Sequence, residues 1–232
     1  LEHGLVTPRT PGRLAIETPA GKAEVEYVEA QGKVSSVRLI HVPSYLHQAD
    51  LEVSVPGLGV LKVDIAYGGN YYAVVEPQPV WPGLDGLSAA QIVDQSRRLR
   101  SALAQLCDPR HPEHDDIRGV HHVLWCDAGR QAEADGRGIV FYGDSALDRS
   151  PGGTGTSARL AQLHGRGRLG VGDTYCSESL IGTTYLGRIE SACKVGEYDA
   201  VIPSVSGWAR VTGLNTLFVD ERDPLAHGFQ VL

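Results

Sequence analysis

The chain changes from loop to helix within one stretch, Asp148-Arg149-Ser150-Pro151-Gly152-Gly153-Thr154-Gly155-Thr156-Ser157. Its three glycines and its proline favour a tight turn. Apolar residues then follow at helical spacing, and two glycines mark the end of the pattern: Ala158, Leu160, Ala161, Leu163, Gly165 and Gly167. The stretch therefore predicts a glycine-rich loop that leads into the N-terminus of a helix.

The start of this predicted helix is suited to binding an anion. Exposed N–H groups and the positive end of the helix dipole attract a carboxylate or a phosphate, and glycine lets the ligand approach the backbone closely. Asp148 can cap the Pro151 turn through its own side chain. No Gly-Lys-Ser/Thr follows, so the loop is not a P-loop. On composition alone, an anion site and a simple turn both stay open.

Most of the remaining pattern is β. Between Leu14 and Val75 short apolar alternations are separated by turns such as Pro56-Gly57-Leu58-Gly59, and the last of them, Tyr71 to Val75, follows the break Gly68-Gly69-Asn70. Later strands are predicted over Val120–Cys126, Gly138–Tyr142, Thr183–Ile189, Tyr198–Val205, Trp208–Thr212 and Leu217–Val219. The Tyr67-to-Asn70 turn is predicted either to border a cleft or to be a plain turn.

A second helix is predicted from Ser88 to Leu106, because apolar residues fall near helical spacing and Ser88 is a good cap. The segment from Asp108 to Arg118 is rich in Pro, His and Asp and is predicted to be an exposed loop. Phe141 or Tyr142 could form the wall of an apolar pocket, although core packing is the simpler interpretation.

Composition narrows the class of protein. The 232 residues carry a net charge of −7 without a Lys/Arg run, which excludes the electrostatic pattern of a nucleic-acid binder and points to a small-molecule partner. No apolar stretch is long enough for a membrane span and no signal peptide is visible, so a cytoplasmic location is expected. The four cysteines are expected to be reduced and mostly buried. The scattered histidines show no metal-binding spacing, so no metal site is predicted.

The motif Asp148-Arg149-Ser150-Pro151-x-Gly153-Thr154-Gly155-Thr156-Ser157 closely resembles the second active-site motif of proline racemases and 4-hydroxyproline 2-epimerases, in which x is a catalytic cysteine. Similar family segments follow each other along almost the whole chain: Leu1-Glu2-His3-Gly4, Glu17-Thr18-Pro19-Ala20-Gly21, Val55-Pro56-Gly57-Leu58-Gly59, Asp64-Ile65-Ala66-Tyr67-Gly68-Gly69-Asn70, Glu178-Ser179-Leu180-Ile181-Gly182-Thr183 and Asp223-Pro224. A chance match of this extent is not expected.

The resemblance implies an α+β, diaminopimelate-epimerase-like fold with two lobes, each made of strands wrapped round a central helix. Residues 1–38 and 218–232 would be the remainder of the first lobe, and residues 39–217 would be the second lobe with the motif. A homodimer is possible by the same analogy. The first two residues have the pattern of a helix end capped by Gly4, and the family's Met-Cys-Gly-His segment would precede Leu1, so an N-terminal segment is expected to be missing from this chain.

The implied reaction is the inversion of the α-carbon of proline or a hydroxyproline without a cofactor. It needs two bases, one on each face of the α-carbon, and cysteine thiolates serve as both in the family. The substrate carboxylate would lie on the amides of Gly153, Thr154 and Gly155, and Asp148 would receive the ring amine.

The sequence departs from the family at the catalytic position itself, because Gly152 stands where the motif has its cysteine. Glycine has no side chain that could accept or donate a proton, and the other family cysteine belongs to the Met-Cys-Gly-His segment that would precede Leu1. Both expected bases are therefore absent from these residues, and activity is doubtful. Three alternatives stay open: a trans-3-hydroxy-L-proline dehydratase-like enzyme that works with one base, a non-catalytic relative that binds a cyclic amino acid, and an engineered substitution at Gly152.

Overall fold

The computed structural model describes residues 1–229. Its strands are β1 Arg13–Thr18, β2 Gly21–Ala30, β3 Lys33–Ile40, β4 Ser44–Val55, β5 Gly59–Tyr67, β6 Tyr71–Val75, β7 Arg110–His111, β8 His114–Arg118, β9 His122–Asp127, β10 Gly136–Tyr142, β11 Ala146–Leu147, β12 Thr174–Ser179, β13 Thr184–Val195 and β14 Tyr198–Gly207. Its helices are α1 Ala89–Leu103 and α2 Gly153–Gly165. No helix in this part of the chain is long and apolar enough to cross a membrane.

The central feature is a ring of strands closed around α2. The hydrogen-bonded order runs β14-β13-β12-β10-β9-β6-β5-β4, and β4 returns to β14 through the pairs Tyr45–Ala200 and Ser44–Val201. Neighbouring strands are antiparallel except at β10–β12 and β6–β9. Helix α2 contacts strands on several sides of this barrel, namely β4, β5, β6, β13 and β14. The predicted helix after the glycine loop is therefore the axis of the fold.

Strand β6 is buried on both faces: its successive side chains point to opposite sides, and both sides are covered. On β6, Tyr72 and Val74 point inward and pack in one apolar cluster with Ala158 of α2. The alternating residues Tyr71, Ala73 and Val75 point outward into a second and larger cluster. This larger cluster lies between the barrel wall and α1.

Helix α1 covers the outer wall through Ile92, Ser96, Leu99 and Leu103, all of which are buried. Its N-terminus has a capping box, which goes beyond the simple Ser88 cap that the sequence predicts. The Ser88 hydroxyl accepts a hydrogen bond from the Gln91 amide, and the Gln91 side chain accepts one from the Ser88 amide. The prediction of a helix capped by Ser88 is confirmed, with its end at Leu103 rather than Leu106.

Strands β1, β2 and β3 extend the barrel sheet beyond its closed part. They form an antiparallel meander, and β3 pairs Val37 to Ile40 with the C-terminal half of β14. The same edge of β14 therefore pairs with β4 near its N-terminal end and with β3 along its C-terminal half. The division into lobes at residues 38 and 218 stays a prediction, and positions 230–232 of the predicted first lobe lie outside the described residues.

Three sequence predictions were wrong. The expected loop from Asp108 to Arg118 contains the small hairpin of β7 and β8, whose hydrogen bonds local composition did not indicate. The expected strands Trp208–Thr212 and Leu217–Val219 have no strand partner among residues 1–229 and are extended, exposed coil. Apolar alternation predicts which face of a strand can be buried, but it does not supply the neighbouring strand.

Candidate active site

The glycine loop reaches α2 through a series of local hydrogen bonds. The Asp148 amide donates to the carbonyl of Val140, which ties the loop to β10. Asp148 Oδ1 accepts hydrogen bonds from both the amide and the hydroxyl of Ser150, each at 2.9 Å. Ser150 Oγ in turn accepts the Gly152 amide at 3.1 Å. The side chain of Asp148 thus stabilises the turn, as its capping role predicts.

The N-terminus of α2 is open, in contrast to that of α1. Its cap residue is Gly152, and no side chain of the described residues bonds to the first-turn amides as a cap. The first intrahelical bond comes from the Thr156 amide to the Gly152 carbonyl. The amides of Gly153, Thr154 and Gly155 precede it and have no carbonyl of the helix to bond. The structure brings together the residues predicted to hold a carboxylate.

Gly152 has a backbone conformation that other residues adopt only with strain, with φ at +77° and ψ at 121°. A Cβ atom built on it would lie 3.2 Å from Val140 Cγ2 and 3.5 Å from Asp148 Oδ2. A side chain at this position would therefore begin beside the Asp148 carboxylate, at the open end of α2. The helix end, Asp148 and the vacant side-chain position form the candidate site.

The β5–β6 turn packs against the first turn of α2. A Cβ atom at Gly68 would lie 2.5 Å from the Thr154 carbonyl oxygen and 2.3 Å from the Ala158 nitrogen, so only glycine permits this approach. The Gly68-Gly69-Asn70 break therefore packs closely against the first turns of α2, next to the candidate site. Tyr67 points to the other face and belongs to the outer cluster.

Tyr72 follows this turn and reaches the helix end from inside the barrel. Its hydroxyl lies 2.6 Å from Thr154 Oγ1, and its ring packs 5.0 Å from that of His122. Burial raises the pKa of Tyr72 to about 12, so the hydroxyl is protonated at neutral pH. Burial lowers the pKa of His122 to about 4, with smaller contributions from His121 and Arg100. His121 is exposed, whereas His122 is only partly exposed.

The four cysteines do not supply a thiolate to this site. All are free, Cys126 is buried inside the barrel, and the other three are partly buried. Burial is the largest cause of a raised pKa for each of them, Cys107, Cys126, Cys176 and Cys193. Neutral thiols are poor bases at neutral pH.

Further along α2, a network of charged groups fixes the helix to the barrel. Arg159 is buried, and its guanidinium lies 2.6 Å from Glu76 Oε1 and 2.7 Å from Gln162 Oε1. Gln162 donates to Asp64 Oδ2 at 2.7 Å, and Arg166 forms an ion pair with the same carboxylate. These contacts fix the rotation of the helix, and with it the direction of its first-turn amides.

Comparison with known proteins settles the family. The proline racemase family profile matches residues 1–230. The chain belongs to this family. A proline racemase family member from Rhizobium rhizogenes, named 4-hydroxyproline 2-epimerase 2, is 65% identical over 231 residues, which are 100% of this chain and 70% of that protein.

Two solved structures of family members match the whole of this chain. The crystal structure of a probable proline racemase from Agrobacterium radiobacter K84 with bound carbonate has a TM-score of 0.89 at 33% identity and is covered over 68% of its length. That of a hydroxyproline epimerase from Agrobacterium vitis with bound trans-4-OH-L-proline has a TM-score of 0.88 at 31% identity, with 66% covered. These likenesses confirm the predicted α+β, diaminopimelate-epimerase-like fold.

Sequence reasoning missed two residues that lie beside the candidate site. Tyr72 and His122 lie far from the motif in sequence, and neither belongs to a pattern that would mark it. The one available signal was the Gly68-Gly69-Asn70 break, which stands two residues before Tyr72. Phe141 packs in the outer cluster and Tyr142 is exposed, which confirms core packing for Phe141.

Proposed function

We propose that this chain is a hydroxyproline 2-epimerase type of protein that recognises 4-hydroxyproline at the N-terminus of α2. The open first turn beside Asp148 is the observation that carries the proposal, because it offers amide donors and a carboxylate side by side. A zwitterionic amino acid needs both. Similarity to a 65% identical 4-hydroxyproline 2-epimerase favours 4-hydroxyproline over proline.

In this proposal the substrate carboxylate accepts hydrogen bonds from the amides of Gly153, Thr154 and Gly155. A helix N-terminus stabilises an anion through these amides and through the helix dipole. Gly153 keeps a side chain away from the ligand. A Cβ atom at Gly153 would meet no atom within 4 Å, so the space in front of this residue is open.

Asp148 receives the ring ammonium of the substrate. Its Oδ1 is engaged by Ser150, while Oδ2 lies on the side of Gly152. An ammonium donor that approaches from the helix end would meet Oδ2 in a charge-assisted hydrogen bond. With the carboxylate on the amides and the ammonium on Asp148, the α-carbon lies between them, in front of residue 152.

The chemistry of inversion then depends on residue 152. One base removes the α-proton, the electron pair stays on the α-carbon and spreads into the carboxylate, and an acid delivers a proton to the opposite face. Gly152 provides no side chain for either step. We therefore expect recognition without two-base inversion by the chain as it stands.

The same observation favours a second candidate, a trans-3-hydroxy-L-proline dehydratase-like enzyme. This reaction needs one base, which the residues of the candidate site do not supply: the base takes the α-proton as the α-C–H bond breaks, and it passes that proton to the C3 hydroxyl, which leaves as water as the C3–O bond breaks. The resulting enamine tautomerises to a cyclic imine. No proton has to be returned to the face of the α-carbon that residue 152 borders, so glycine is compatible with this reaction. A cytoplasmic homodimer is proposed for either candidate by analogy with the family.

Nuclear magnetic resonance in D₂O separates these possibilities. Trans-4-hydroxy-L-proline is incubated with the protein, and the α-proton signal is followed together with the signals of the cis-4-hydroxy-D epimer. We expect isothermal calorimetry to show that the substrate binds, and the NMR spectra to show that no epimer forms. Rapid accumulation of deuterated epimer would overturn the role given to Gly152, and absence of binding at millimolar substrate would overturn the recognition site. Trans-3-hydroxy-L-proline, tested in parallel, should give an imine only if the dehydratase alternative holds.

A further inference from the structure

We infer that Tyr72 is a positioning residue that orients the Thr154 hydroxyl as an additional donor to the bound carboxylate. The inference rests on the proposed function, because it adds a side-chain donor to the amides at the same helix end. It concerns the hydroxyl pair of Tyr72 and Thr154, whose oxygens are 2.6 Å apart.

The ring of Tyr72 is held in one position at the start of α2. Its ring is held in the inner cluster by Val74, Val140 and Ala158, and it packs against His122. A Cβ atom at Gly155 would lie 3.6 Å from Tyr72 Cε1, so the ring directly supports the first turn of α2. A side chain packed on all sides cannot choose another rotamer without cost. The hydroxyl is therefore fixed at the helix end.

The hydrogen bond between Tyr72 and Thr154 has a favoured direction. Either oxygen could be the donor by geometry alone. Burial keeps the Tyr72 phenol protonated, and a phenol is a stronger acid than an aliphatic alcohol. The favoured arrangement is therefore donation by Tyr72 Oη to Thr154 Oγ1. Thr154 then keeps its own hydroxyl hydrogen for a second acceptor.

The second acceptor for the Thr154 hydroxyl is the bound carboxylate. Thr154 is the second residue of α2 and is only partly buried, and its own amide is one of the three open first-turn donors. We therefore place its hydroxyl within reach of a carboxylate bound to these amides. A carboxylate on these amides is the natural acceptor. Consecutive hydrogen bonds polarise one another, so donation from Tyr72 makes Thr154 a better donor to an anion.

The test uses pyrrole-2-carboxylate, a planar mimic of the α-carbanion, and isothermal calorimetry on the whole chain. Thr154→Val keeps the shape of the side chain and removes the hydroxyl, whereas Thr154→Ser keeps the hydroxyl and removes the methyl group. We expect Thr154→Val to weaken binding about tenfold, the size of a typical hydrogen bond to a charged group, and Thr154→Ser to bind like the parent. If only the packing of the Thr154 side chain mattered, Thr154→Ser would lose more affinity than Thr154→Val.

Tyr72→Phe should weaken binding by roughly threefold to tenfold, and adding it to Thr154→Val should cause no further loss, because the two hydroxyls act in series. Tyr175→Phe is the matched control, since Tyr175 is also a buried tyrosine inside the barrel but packs against Arg159. This control should bind like the parent.

Parent-like binding by Tyr72→Phe, or equal losses in Thr154→Val and Thr154→Ser, would overturn the inference and leave the proposed function intact. Failure of the unchanged chain to bind pyrrole-2-carboxylate would overturn both. If Tyr72→Phe does not fold, the Thr154 pair still decides whether the Thr154 hydroxyl is a donor to the ligand: weaker binding by Thr154→Val alone supports this, and equal losses overturn the inference.

Discussion

The backbone of Gly152 leads to a quantitative prediction about stability. Its φ of +77° and ψ of 121° lie outside the regions open to residues with a Cβ atom, and such a conformation costs about 1 to 3 kcal/mol for a non-glycine residue. The nearest neighbour of an added Cβ atom, Val140 Cγ2 at 3.2 Å, would also have to shift slightly. Gly152→Ala should therefore lower the free energy of unfolding by about 1 to 3 kcal/mol.

The adjacent glycine provides the control. Gly153 has no positive φ, lies in the first turn of α2 and would place a Cβ atom in open space. Gly153→Ala should change the free energy of unfolding by at most about 0.5 to 1 kcal/mol, in the stabilising direction. Gly152→Cys should resemble Gly152→Ala, because the strain comes from the Cβ atom and not from sulfur.

Urea unfolding measures the difference. Trp81 and Trp125 are buried, so their fluorescence reports loss of the core. The midpoint should fall for Gly152→Ala and Gly152→Cys with an unchanged slope, and it should stay constant or rise for Gly153→Ala. If Gly152→Ala is as stable as the parent, the loop can adopt another conformation at no cost, and the argument from φ is wrong.

Two further predictions concern the charged and titratable groups around α2. Arg159→Met should lower the free energy of unfolding by about 1 to 3 kcal/mol in urea titrations, because it leaves the buried Gln162 oxygen without its donor, while Glu76 is partly exposed and keeps Arg168. Arg168→Met removes only an exposed partner of Glu76 and should cost less than about 1 kcal/mol. Equal losses in the two variants would contradict this assignment. Since burial lowers the pKa of His122 from 6.5 to about 4, the unfolded chain binds the extra proton and stability should fall as the pH drops from 6.5 to 4, by at most ~1.4 kcal/mol per pH unit. In His122→Asn this part of the slope should disappear from unfolding curves measured at successive pH values, and an unaltered slope would assign the pH dependence to other groups.

Much of the fold follows from local pattern. The apolar run Tyr71 to Val75 predicts a strand, and its burial on both faces follows from its position between α1 and α2. Ser88 predicts the start of α1 because a helix cap is a local structure. These elements are decided by residues that are close together in the sequence.

Pairing partners were less predictable. Leu217 and Phe218 have the apolar character of a strand but are 88% and 91% exposed, so their pattern did not lead to burial. The closure of the barrel through Tyr45 and Ala200 joins distant parts of the chain, and nothing in either strand specifies the other. Only a comparison with a known fold could supply this contact.

The candidate site divides in the same way. The glycine loop was identified from the sequence because a turn and a helix start have recognisable residues, and the resemblance to the proline racemase family added the binding role of Asp148. Tyr72 stands 82 positions from Thr154 and belongs to an ordinary apolar strand, so its role depends on the curvature of the barrel. What could be predicted from the sequence was therefore limited by the separation of interacting residues along the chain, and not by their chemistry.

The closed barrel has a consequence for folding during synthesis. Helix α2 leaves the ribosome before β12, β13 and β14, which supply a large part of its surroundings. Until β14 reaches β4, the apolar side chains of α2 lack one wall of their enclosure, and such late, long-range contacts are slow to form. Nascent chains that end before Tyr198 should therefore be protease-sensitive and bind chaperones, and protection of α2 should come abruptly once Gly207 has emerged.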